Sequence, residues 1–137
     1  MSSDEHKTVD FILVRTMTPR EAVSLLLSRF PTMRDLVCPD EDCFEAPTIV
    51  YDSFASIVVA RSDDLGLIES VARFIDELAE IKGSLIRDLL STTLLEVIAG
   101  DAKLARVFAR SISPRSRSLL HEVEREFYGR DVRAEET

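Results

Sequence analysis

Ser84–Gly100 reads SLIRDLLSTTLLEVIAG. Leu85, Ile86, Leu89, Leu90, Leu94, Leu95, Val97 and Ile98 leave this stretch little polar surface, and neither proline nor an interior glycine interrupts it. That pattern is a helix apolar on nearly every side, which is stable in water only when other helices cover it. It is therefore expected at the centre of the domain, with Ser84 as its N-cap and Gly100 at its end. Asp88 and Glu96, eight positions apart, share one face and mark its wet edge.

The flanking segments are amphipathic and sharply punctuated. LIESVARFIDELAEIKG places Leu67, Ile68, Val71, Phe74, Ile75, Leu78 and Ile81 on one wide face, with Gly83 expected as the C-terminal cap. Beyond Gly100, Asp101 is set to cap AKLARVFARSI, and Ser113 with Pro114 opens RSRSLLHEVEREFYG, which ends at Gly129. Towards the N-terminus, MTPREAVSLLLSRFP carries Thr18, Pro19 and Glu21, a capping box with proline at the first helical position; Pro31 stops it, and a short helix follows to Val37. PTIVYDSFASIVVARSDD is ambiguous: Ile49, Val50, Ile57, Val58 and Val59 are β-branched, yet Tyr51, Phe54, Ala55, Val58 and Val59 form a helical stripe. Helix is the preferred reading. Together these segments predict an all-α fold, a single-domain bundle spanning residues 1–137 and packed as antiparallel helical hairpins. The expected core includes Leu26, Phe54, Phe74, Leu78, Leu90, Leu94, Leu95 and Phe108. The equal spacing of Gly66, Gly83 and Gly100 reflects similar helix lengths rather than duplication.

TVDFILVRT, Thr8–Thr16, does not fit the helical scheme. Residues 1–16 read as an arm, strand or first helix; an apolar strand without a mate seeks another chain, so a homodimer is one outcome. Residues 130–137 read as a frayed, charged tail.

Charge narrows the choice of partner. The net charge is -8, and it is uneven: residues 1–100 hold 9 Lys/Arg against 18 Asp/Glu, whereas residues 101–137 hold 8 against 7. A nucleic acid is repelled by such a field and a basic protein is attracted. No run approaches the roughly 20 apolar residues of a membrane helix, and MSSDEHKTVD lacks the basic-then-apolar order of a signal peptide. A cytoplasmic protein without membrane contact is expected.

VCPDEDCFEA, Val37–Ala46, is the chemically suggestive stretch, readable as a metal knuckle, a redox pair or an acidic loop. Two cysteines and two histidines suffice for one zinc site, but His6 and His121 lie near opposite ends of the chain. The EF-hand spacing and its glycine are missing, so calcium has no loop of that kind. A disulfide between Cys38 and Cys43 is sterically possible, yet a cytoplasmic compartment keeps it reduced. His121 is the sole candidate base in the folded region, and LLHEVEREF places it on an acidic helix that reads as surface. PRSRS at Pro114–Ser118 is a basic helix start able to hold a phosphate or carboxylate, though two arginines fit an ordinary surface equally well. No catalytic residue, cofactor or metal is expected. What survives is an acidic contact surface made by Asp40, Glu41, Asp42 and Glu45, with the cysteines as small apolar anchors, joined by Asp63, Asp64 and Glu69 if the intervening helix returns the chain to the same end.

Four features give the chain a resemblance from Thr18 to Phe127: the first helix ending in RFP, PTIVYDSFASIVV after a proline, the helix end LLEVIAGD, and SPRSRSLL opening the last helix. In these it resembles a family of small, acidic, helical bacterial proteins of undefined domain function, similar in size to polymorphic-toxin immunity proteins. The resemblance implies a non-catalytic inhibitor that covers a toxin domain, and carries over no catalytic residue. A helical adaptor, or an enzyme using Cys38, Cys43 or a metal at the acidic loop, are the alternatives.

Overall fold

A computed structural model of the chain describes residues 16–130, and among them every regular element is a helix. The first is α1, Pro19–Arg29; Thr18 and Glu21 close the expected capping box, at 3.2 Å from the Glu21 amide to Thr18 Oγ1 and 2.9 Å from the Thr18 amide to Glu21 Oε1. A 3-10 turn, Pro31–Met33, leads into the short α2, Arg34–Val37. A second 3-10 turn, Glu41–Glu45, precedes α3, Pro47–Ala60, so the ambiguous β-branched segment is helical. The helical stripe decides it: Val50, Tyr51, Phe54, Ala55 and Val58 are all fully buried, which a two-residue alternation cannot achieve.

The next helix, α4, runs Leu65–Glu80 from an Asp64 cap. The expected C-cap at Gly83 is corrected: the helix stops three residues earlier, and Gly83, at φ 128°, is the N-cap of α5, Ser84–Leu89. Ser84 is then the first helical residue and makes no capping bond. The turn needs glycine twice over. Its backbone lies where side chains are strained, and a Cβ there would stand 3.1 Å from Thr16 Cγ2.

The central apolar helix is present but not uniform. α5 passes into a π-helical stretch, Leu90–Leu95, and then α6, Glu96–Ala99. The Glu96 amide reaches back five residues to the Ser91 carbonyl. A cause is at hand: the Thr92 hydroxyl donates to the Asp88 carbonyl at 2.6 Å and the Thr93 hydroxyl donates to the Leu89 carbonyl, occupying acceptors of the ordinary ladder. Asp101 and Ser113 cap α7, Ala102–Ser111, and α8, Pro114–Tyr128, as expected, and Gly129 ends α8 in the left-handed conformation.

The π stretch sits where α3 and α8 both pack, with α6 also against α3 and α8. All eight expected core residues are buried. Among the described residues Phe74 joins three of the four ring contacts, to Phe30 at 5.4 Å, Tyr51 at 6.2 Å and Phe54 at 6.2 Å between centroids. The Tyr51 hydroxyl donates to the Ala22 carbonyl at 2.8 Å, tying α3 to α1. Burial, with Glu77 adding to it, pushes that phenol well above its ordinary range.

The arm and most of the tail lie outside the described residues, 1–15 and 131–137. Arg130, the first residue of the expected frayed tail, is described and fastened: its guanidinium donates to the Ala99 carbonyl and lies 3.3 Å from Glu124 Oε2.

Candidate functional site

The acidic segment is a structured turn rather than an open loop. Asp40 sits at its start with extended backbone, and its side chain accepts the Asp42 amide at 3.0 Å. The Ala46 amide closes the other end on the Cys43 carbonyl at 3.0 Å. Between them Phe44 is buried, with the guanidinium groups of Arg20 and Arg34 over its ring at 5.0 and 5.8 Å. Arg20 also lies 3.6 Å from Glu45, an exposed pair worth about 0 to 1 kcal/mol. The chain's own arginines therefore supply part of the compensation that bunched acids require, before any partner is met.

The cysteines are not the two thiol anchors expected from the sequence. Cys38 and Cys43 are joined in a disulfide, their Cα atoms 5.4 Å apart, well inside the range such a bond allows. Cys38 is buried beside α2, whereas Cys43 is only partly buried on the turn. The bond ties the end of α2 to the turn and holds Asp40, Glu41 and Asp42 outward.

Asp40, Glu41, Asp42 and Glu45 are all exposed, as are Asp63, Asp64 and Glu69. The structure does not bring the two groups together. One uninterrupted helix of 14 residues, α3, separates them and carries the chain away, so they lie roughly 20 Å apart at 1.5 Å per residue. Asp64 is in addition engaged as a cap, accepting the Leu67 amide at 3.1 Å. Two apolar side chains flank the first group instead: Leu36 before the turn is 56% exposed and Ile49 after it is 67% exposed. A solvent-facing leucine and isoleucine bracketing a negative turn give it the mixed chemistry of a contact surface. The sequence carried that signal for Ile49, which falls outside the Tyr51, Phe54, Ala55 and Val58 stripe, but not for Leu36, which lies in a helix of only four residues.

His121 is a second correction. It is 4% exposed, and Glu124 beside it is 1% exposed, so the surface assignment fails. His121 Nδ1 lies 3.7 Å from Glu124 Oε1, while Arg130 flanks the other carboxylate oxygen. The acids adjacent in sequence, Glu122 and Glu126, are indeed exposed, but positions 120, 121, 123 and 124 face inward together. The basic helix start is likewise engaged within the chain. Arg115 pairs with Glu80 at 3.2 Å, and Arg117 donates to the carbonyls of Ala109 at 2.7 Å and Ile112 at 3.2 Å. Asp76 accepts from the Ser113 amide at 2.9 Å and the Ser116 hydroxyl at 2.7 Å, so the start of α8 is already met by a carboxylate from α4.

A groove of about 650 Å³ runs between the end of α4, the start of α5 and α8. Its floor is apolar, with Leu78, Leu90 and Leu119, and its rim mixes Lys82 and Arg87 with Glu122. Sequence reasoning missed it because its walls come from three separate helices. The mixed rim selects no charge class of ligand. Among the described residues no group of three or more His, Cys, Asp or Glu is arranged to hold a metal ion, and no helix is long and apolar enough to cross a membrane.

No protein-family model matches this chain, and neither a curated protein nor a solved structure matches it significantly.

Proposed function

We propose that this chain is a non-catalytic protein-binding module, an immunity-type inhibitor that meets a basic toxin domain with the acidic turn. The observation that carries the reading is the turn itself: four exposed acids on a segment braced by a disulfide and a buried phenylalanine, bracketed by Leu36 and Ile49. A braced turn loses little conformational freedom on binding. The net charge of -8 steers a basic partner towards it and repels nucleic acid. The inhibitor works in the cytoplasm, where the toxin domain would otherwise act, and needs neither cofactor nor metal.

The test uses the purified product of the reading frame immediately upstream as the partner. Glu41→Lys with Asp42→Lys moves the net charge from -8 to -4 and spares Asp40, whose side chain caps the turn. Wild type is expected to associate at least about tenfold faster than the variant at low salt, with a steeper salt dependence, while both give the same helical circular dichroism. Equal association rates would show that another face meets the partner. Failure of wild type to bind the neighbour, or to relieve its toxicity on co-expression, would remove the immunity reading.

A further inference from the structure

The Cys38–Cys43 bond closes only a short ring, five positions in sequence, in a domain whose large apolar core counts Cys38 as one small member among many larger side chains. A ring so small constrains the unfolded chain less than a long one, by about 2 kcal/mol against about 5 for a loop of roughly 100 residues. Its two sulfurs also differ. Cys38 is 2% exposed and Cys43 is only partly buried on the turn, so an attacking thiolate meets Cys43 before Cys38. Both sulfurs face the same backbone acceptor, the Asp40 carbonyl oxygen, at 3.7 Å from Cys38 and 2.8 Å from Cys43. Once the bond is broken, the nearby Asp40 carbonyl is an acceptor within reach of a Cys43 thiol. A disulfide in a cytoplasmic protein, where one occurs, is commonly transient and redox-sensing.

We propose that Cys38 and Cys43 form a thiol–disulfide exchange site, entered at Cys43, that sets the rigidity of the acidic turn. In the reducing direction the thiolate of a dithiol attacks Cys43 Sγ. The Cys38–Cys43 bond breaks, and Cys38 leaves as a thiolate that takes up a proton. The second thiol of the reductant then attacks the mixed disulfide, releases Cys43 and leaves the reductant as a disulfide. Asp40, Glu41, Asp42 and Glu45 are exposed and flank Cys43 along the turn, a negative setting that repels anionic thiols, so the fitting reductant is a neutral or basic-faced dithiol rather than glutathione. The consequence for partner docking rests on the function proposed above; the exchange itself does not.

The experiment uses the full chain purified without reductant, with dithiothreitol and glutathione as probes. Iodoacetamide followed by peptide mass mapping should find no labelled cysteine before reduction and two after it. Limited labelling should modify Cys43 several-fold faster than Cys38. At equal thiolate concentration dithiothreitol should reduce the bond faster than glutathione, and added salt should narrow the gap. Amide exchange at Asp42 and Ala46 should quicken at least about tenfold on reduction, with that of Leu94 unchanged. In Cys38→Ser, oxidised glutathione should form a mixed disulfide on Cys43; in Cys43→Ser it should leave Cys38 unmodified. Two reactive thiols in air-oxidised protein, equal labelling of both cysteines, or turn amides indifferent to reduction would each overturn the proposal. Faster turn exchange with unchanged affinity for the upstream partner would leave the exchange site standing and remove the docking reading instead.

Discussion

Phe74→Ala should be the most damaging single truncation of the aromatic cluster. Phe74 is 2% exposed and meets the rings of Phe30, Tyr51 and Phe54, so it links side chains from α1's end, α3 and α4. Truncating a buried phenylalanine removes its transfer free energy and leaves a cavity, together about 3 to 5 kcal/mol. Three ring contacts, each adding about 0.5 to 1.5 kcal/mol beyond buried area, place the expected loss near the top of that range, about 4 to 5 kcal/mol. For a domain of this size 1 kcal/mol moves the melting temperature by about 3 to 4 °C, so a fall of roughly 12 to 20 °C follows. Phe74→Leu keeps much of the volume and loses the ring geometry, and should cost about half as much, with the cluster's edge-to-face terms as the difference. Phe127, 47% exposed on α8, is the control, since its truncation should stay within about 0.5 kcal/mol. Thermal unfolding followed at 222 nm, with urea titration for the free energies, measures all three. A Phe74→Ala shift below about 4 °C, or one equal to that of Phe127→Ala, would refute the packing of Phe74 against the other three rings.

Tyr51→Phe removes the bond to the Ala22 carbonyl and should cost about 1 kcal/mol near neutral pH. Because the folded phenol titrates above its ordinary value of 10.0, its contribution is fully present below that pH and is lost as the unfolded chain ionises above it; wild type should lose stability from about pH 10 upward more steeply than the variant, by urea titration. Asp76→Ala takes the acceptor from the Ser113 amide and the fully buried Ser116 hydroxyl and should cost about 2 kcal/mol, whereas Asp76→Asn keeps an acceptor oxygen and should cost less. Gly83→Ala forces a side chain into a positive-φ turn and against Thr16, and should lower the urea midpoint by the equivalent of about 1 to 2 kcal/mol.

The helical framework was legible because its ends are written in local chemistry. Thr18 with Glu21, Asp101 and Ser113 announce helix starts through short-range bonds that need no tertiary information. α3 was legible through its stripe despite its β-branched residues, because burial of one face outweighs intrinsic preference. Gly83 misled because glycine serves a helix end and a positive-φ entry equally well, and only the approach of Thr16 distinguishes them. His121 misled because neighbours in sequence point to different sides of a helix; the i, i+3 partner Glu124 was the informative residue, not Glu122. The acidic turn was found, and its spacing allowed the disulfide, which the expected compartment argued against; the separation from Asp63, Asp64 and Glu69 depends on chain direction after Ala46, which spacing alone does not give.

The wide-turn stretch at Leu90–Leu95 gives the chain one place where its length can change without unsettling the helices on either side. In a regular helix each residue advances the side chains by about 100°, whereas the wider i→i+5 ring turns less per residue, so such a stretch holds one residue more than the ordinary turn it replaces. Deleting one residue between 90 and 95 would therefore restore ordinary winding and leave the inward faces of α5 and α6 aligned against α3 and α8. A descendant of this sequence lacking one position there would keep both packed faces, whereas the same loss in the middle of α4 would turn every side chain beyond it.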